Sequence, residues 1–196
     1  MKTYYWLKQN RFLSHLRTSF CALAILSVPL AFPSAVAGTP PQASGTFSPC
    51  FNYVSVEFLP PGSGPLNFMT ALTTFYVTVD AAGTFNGHLE GNELDVVHHS
   101  DGSINLHGSL VFTGSVGDKS GTMLFTYTGI GNLGTGHETL HWVGRQGTDG
   151  LAGIYAEGTI EGDLCQAGQP GCPGGACAVA GAGTYTGQIL FAPPPK

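Results

Sequence analysis

Gly121-Thr-Met-Leu-Phe-Thr-Tyr-Thr128 is the stretch whose reading decides the fold. Met123, Phe125 and Tyr127 fall on one side of an extended chain and Thr122, Thr126 and Thr128 on the other, the mark of a half-buried β-strand. Tyr185-Thr-Gly-Gln-Ile-Leu-Phe191 repeats the pattern, with Tyr185, Ile189 and Phe191 as its inward set. Working outward from these two, β-rich segments alternate with Gly, Asp and Asn clusters at intervals of about 8 to 14 residues, as in an all-β sandwich or barrel. The expected strands are Thr46–Phe58, Phe68–Val79, Thr84–Glu90, Glu93–His99, Ile104–Thr113, Thr122–Thr128, His137–Val143 together with Leu151–Glu161, and Thr184–Phe191. That gives eight, or nine if the seventh is split. Glycines within strand patterns mark bends or bulges. No stretch free of Gly and Pro is long and 3.6-periodic enough to be a helix.

The first 37 residues read as a secretion signal. Lys2 to Arg17 is basic and free of acids, Cys21 to Phe32 is apolar, and Ala35-Val36-Ala37 fits the small-residue cleavage pattern. Pro29 interrupts an apolar run already shorter than the roughly 20 residues a spanning helix needs, so stable membrane insertion is not expected. Residues 38–45 read as a flexible lead-in, and 46–192 as the folded domain. Beyond the leader only Lys119, Arg145 and Lys196 oppose all twelve acids, a formal charge of −9. Nucleic acid is excluded by that balance, because its binding requires clustered Lys and Arg. Four cysteines remain, Cys50, Cys165, Cys172 and Cys177, an even number in an exported chain, and they read as two disulfides with three possible connectivities.

Three blocks carry a resemblance: Phe85-Asn-Gly-His-Leu-Glu-Gly91, Phe112-Thr-Gly-Ser-Val-Gly-Asp-Lys-Ser-Gly-Thr122 and Gly147-Thr-Asp-Gly-Leu-Ala-Gly-Ile-Tyr-Ala-Glu-Gly-Thr159. Their order and content resemble a bacterial family of small, functionally uncharacterised proteins with an allene oxide cyclase-like, calycin-like barrel. The resemblance covers about Thr84 to Phe191. It implies a single up-and-down antiparallel barrel of eight strands and no established chemistry. Residues 163–182, which hold three of the cysteines, depart from the family pattern as an insert. In a closed barrel the first and last strands are neighbours, so Cys50 is expected to bond within the loop from Cys165 to Cys177.

His137-Glu138-Thr139-Leu140-His141 fits the His-Glu-x-x-His pattern of zinc peptidases, with Glu157 or Glu161 as a distant third ligand. That chemistry needs a helix to stack both imidazoles on one face. Here glycines close both ends of the segment, and on a strand the two histidines stand about 13 Å apart. A zinc peptidase is therefore the least favoured reading, and no metal or cofactor is expected. His98 and His99 are adjacent and point to opposite faces. No nucleophile elbow, phosphate loop or dinucleotide fingerprint is present.

The barrel interior is left as the place for function. Glu138, Leu140 and Trp142 share one face of a strand, and Phe125 and Tyr127 share the inner face of its neighbour. Tyr155 and Glu157 form a second same-face polar pair. A carboxylate among aromatics would be held neutral and suit proton transfer or ligand anchoring. The simpler reading, which carries more weight, puts Glu138 at the rim in water. The leading expectation is a barrel that binds a small apolar molecule through Phe125, Tyr127, Glu138, Leu140, Trp142 and Tyr155. One alternative is a cyclase or isomerase using Glu138 or Tyr155 to handle a proton; another is a filled barrel serving as a structural cell-surface module. No motif sets an oligomeric state.

Overall fold

A computed structural model describes residues 39–59, 70–166, 169, 172 and 176–191. The leader, and the proline-rich tail beyond Phe191, lie outside the described residues. Eight strands follow in chain order: β1 (Gln42–Leu59), β2 (Thr70–Gly83), β3 (Phe85–His98), β4 (Ser103–Val116), β5 (Lys119–Asn132), β6 (His137–Arg145), β7 (Ile154–Gln166) and β8 (Val179–Phe191). Each pairs antiparallel with the next, and β8 returns to β1, closing an up-and-down barrel. Closure leaves no free sheet edge where the ladder is complete, and the strands alternate between core and exterior except for β1, which is exposed throughout from Tyr53 to Leu59. Among the described residues no helix is long and apolar enough to cross a membrane.

The expected eight strands are found, but two of the divisions differ. Gly91-Asn92 is not a turn: β3 runs straight through it. A Cβ at Gly91 would lie 2.1 Å from the Ser109 carbonyl oxygen, so this glycine serves close approach of β4 rather than a change of direction. His137–Val143 and Leu151–Glu161 are two strands, joined by a 3-10 turn at Asp149–Leu151. The lead-in is shorter than expected, because Gln42 to Gly45 already pair with β8. The insert contracts likewise, because Asp163–Gln166 and Val179–Ala182 are laddered to each other.

Aromatic packing fills one end of the barrel. Phe85 meets Phe112, Phe125, Trp142 and Tyr185 at ring-centroid distances of 5.3–5.8 Å. Most of these are edge-to-face contacts, the arrangement aromatic quadrupoles favour. The Tyr185 hydroxyl accepts the Phe85 N–H at 2.8 Å, so its polar tip is satisfied inside the core. Fully buried Leu151, carried by the 3-10 turn, closes that end beneath the rings.

The opposite end is held by disulfides. Cys50 bonds Cys177 and Cys165 bonds Cys172. Cys50 and Cys165 both pair with Ala180 on β8, one from each side, and this rung lies next to the last one shared by β1 and β8, Phe51 with Val179. The Cys50–Cys177 bond thus staples the seam where the ladder stops. It links residues 127 apart, a long loop whose closure strongly restricts the unfolded chain.

Candidate functional site

A single rung positions the site. Phe75 pairs with Glu93, Glu93 with Gly108, Gly108 with Tyr127, Tyr127 with Trp142, and Trp142 with Gly158. Large inward side chains on this rung need small neighbours, and glycines supply the space. A Cβ at Gly108 would stand 2.2 Å from the Tyr127 ring, so Tyr127 leans across Gly108 and its hydroxyl donates to Glu93 Oε2 at 2.5 Å. Farther toward the open end Glu138 pairs with Gly131, whose missing side chain makes room for the carboxyl. Gly108→Ala should push Tyr127 off Glu93 and destabilise by roughly 1 to 3 kcal/mol, as overpacked interiors do. Chemical denaturation checks the loss, and an unchanged midpoint would show that the ring is not seated there.

Three carboxyls converge in this interior: Glu93, Asp95 and Glu138 are 3, 6 and 7% exposed, which places them out of bulk water. Burial, opposed by the Tyr127 hydrogen bond, raises Glu93 above the usual carboxylate range. Burial and the neighbouring Glu93 push Asp95 up to about 9. Burial, followed by Glu93, pushes Glu138 up to about 8. Tyr127 is likewise raised, by burial first and then by Glu93. At neutral pH Asp95 and Glu138 are therefore mainly protonated acids, able to donate hydrogen bonds. Asp95 Oδ1 is buried with no partner.

These acids stand at the neck of a two-part hollow. Toward the open end lies a cavity of about 540 Å³, with Phe51, Ala71, Thr73, Phe75, Asp95, Val97 and Leu164 in its wall. Below it a chamber of about 70 Å³ reaches the aromatic core. Phe51, Glu93 and Glu138 line both. Among the described residues the lining contains no Lys or Arg.

Of the residues expected in the interior, Phe125, Tyr127, Leu140 and Trp142 line the lower chamber, and Glu138 sits at the neck. Glu138 is thus buried, which corrects the rim reading. Tyr155 is a second correction: it is 41% exposed on the outer face of β7, where its hydroxyl donates to Glu157 Oε2 at 2.7 Å. The inward residue is its neighbour Ala156. The His-Glu-x-x-His segment lies on β6, with His137 and His141 exposed and Glu138 turned inward. His137 instead meets Asp163 at 2.9 Å.

Glu93 and Asp95 were not legible as site residues, because the turn expected at Gly91-Asn92 broke the count along β3. Phe85 and Leu89 face the core. Carried through Gly91, that alternation brings Glu93, Asp95 and Val97 inward and leaves Leu94 and Val96 on the outer side.

The family described as "Protein of unknown function (DUF3224)" matches residues 65–169, just over half of the chain. Among solved structures, the crystal structure of a protein of unknown function from the DUF3224 family of Shewanella oneidensis MR-1 is 17% identical, with a TM-score of 0.49. That likeness covers 79% of this chain and 99% of the other. No curated protein gives a significant match.

Proposed function

The chain belongs to the DUF3224 family of proteins of unknown function, and on that footing we propose that it is an exported barrel holding one small, largely apolar molecule in its open end. The observation that carries this reading is the cavity of about 540 Å³ above the aromatic end and its small lower chamber. Its size lies within the range of small-molecule sites, and its wall combines aromatic and aliphatic side chains with a few convergent polar groups, the composition such sites share. Diphenylhexatriene, a neutral hydrocarbon that fluoresces only out of water, tests it. One molecule should bind per chain, and Thr73→Trp, which fills the cavity, should weaken binding by about tenfold or more. Thermal unfolding verifies that the variant folds, and Val179→Trp, on β8 across β1 from Thr73, replaces it if it does not. No signal with the unaltered protein, or a signal that survives filling, overturns the reading.

A second reading, an isomerase or cyclase acting on an apolar substrate, is favoured by Glu138, an acid held neutral at the cavity neck. A group protonated near working pH and facing a ligand pocket can give a proton to a bound molecule. Tyr155 has no part in it, since it lies outside the barrel.

Export is supported by the basic and apolar leader and by the two disulfides, which persist in oxidising compartments. Sequencing of the exported protein should find Gly38 at its N-terminus. A full-length chain retained in the cytosol contradicts this.

A further inference from the structure

Resting on that binding reading, we propose that the molecule held in the open end carries a basic nitrogen, bound as a cation against the carboxyls of Glu93, Asp95 and Glu138 with its apolar body against Phe51 and Phe75. Two observations meet here. The first is three carboxyls gathered from β3 and β6 into one buried neck with no Lys or Arg in the described lining. The second is Asp95 Oδ1, on a side chain 6% exposed in the cavity wall and lacking any hydrogen-bond partner. A buried polar oxygen without a partner is costly unless a ligand supplies one. An ammonium offers up to three donors and the compensating charge, and charge-assisted hydrogen bonds are the strong ones. An anionic amphiphile would meet no Lys or Arg in the described lining and would face three acids.

The groups around the neck define how a cation would be held. Tyr127 on β5 fixes Glu93 through its hydroxyl, and Glu93 shares a side-chain hydrogen bond with Asp95, which leaves Asp95 Oδ1 and Glu138 to turn to a ligand. The inward residues of β2 and β4 that face Asp95, Thr73 and Leu106, carry no charge. β7 and β8 present Leu164 and Val179, and β1 presents Tyr53 at the rim. His99 stands at the mouth, and His107 lies on the outer face of β4. The charge balance is simple: an arriving ammonium keeps its proton, one neighbouring carboxyl releases its own to solvent, and an ion pair replaces a neutral acid.

Three molecules with one apolar body test this: 2-(1-naphthyl)ethylamine, 2-(1-naphthyl)ethanol and 1-naphthylacetate. Calorimetry at about pH 8 should show the amine binding about tenfold or more tighter than the alcohol, with no detectable binding of the carboxylate. At about pH 7, buffers of different ionisation enthalpy should report close to one proton released per amine bound. Asp95→Asn with Glu138→Gln should abolish the preference for the amine and leave alcohol binding intact. An amine no tighter than the alcohol, including failure of both to bind, overturns the cation site. The hydrocarbon probe decides the binding reading separately, so the two failures are distinguishable.

Discussion

Unfolding in urea should find the protein several kcal/mol more stable at about pH 5 than at about pH 9, the reverse of a chain stabilised by carboxylate ion pairs. Asp95 and Glu138 hold their protons in the folded barrel up to about 9 and about 8, whereas in the unfolded chain both release them near the ordinary carboxylate range. Below that range both states are protonated and the stabilising contribution is complete. As pH rises, the unfolded state gains by ionising while the native state cannot. Each such group then costs about 1.4 kcal/mol per pH unit until its folded pKa is passed. Water entering the open cavity will temper the full linkage value, but two groups titrating together still give a large effect. Asp95→Asn should flatten the slope and leave the variant relatively more stable on the alkaline side. A stability that rises from about pH 5 to about pH 9 would mean that these carboxyls are ionised in the native state.

Trp142→Ala should destabilise by roughly 3 to 5 kcal/mol, as large aromatic deletions in close-packed interiors do. Trp142 is 1% exposed and meets Phe125 at 5.4 Å, Phe85 at 5.6 Å and Tyr185 at 6.3 Å between ring centroids. It leans over a glycine on β8, since a Cβ at Gly187 would lie 2.8 Å from its ring. Its indole N–H donates to the Thr159 carbonyl at 3.2 Å. Deletion therefore opens a cavity in the aromatic end and removes the indole hydrogen bond to the Thr159 carbonyl. With the leader removed Trp142 is the sole tryptophan, and its emission should be blue-shifted until unfolding. A water-exposed spectrum with unchanged stability would invert the inner and outer faces of β6.

Residues whose alternation is clean were the ones legible in the sequence. Phe125, Tyr127, Leu140 and Trp142 lie on strands where large apolar and polar residues alternate, so parity alone assigned their faces. Closure came from the family resemblance, since spacing by itself fits a sandwich as well. Parity misled where the interior is small or acidic. On β7 the inward set runs Ile154, Ala156, Gly158, Ile160, Gly162 and Leu164, and its small members, where a Cβ at Gly158 would meet the β8 backbone and one at Gly162 the Phe47 ring, let Tyr155 pass for the inward residue. On β3 apolar Leu94 and Val96 face out while Glu93 and Asp95 face in, the opposite of what a rule burying apolar residues expects. That violation is the informative one, because it places the acids where a ligand would reach them.

The central claim is that these carboxyls are withheld from bulk water yet reachable from the open end. Site-resolved carboxyl ¹³C NMR of Glu93, Asp95 and Glu138, titrated with and without saturating diphenylhexatriene, tests it most directly. All three should titrate above the ordinary carboxylate range, Asp95 near about 9 and Glu138 near about 8, and the Glu93 and Glu138 resonances should move when the probe fills the cavity. Titration of all three in the ordinary range, with no response to the probe, would contradict the account.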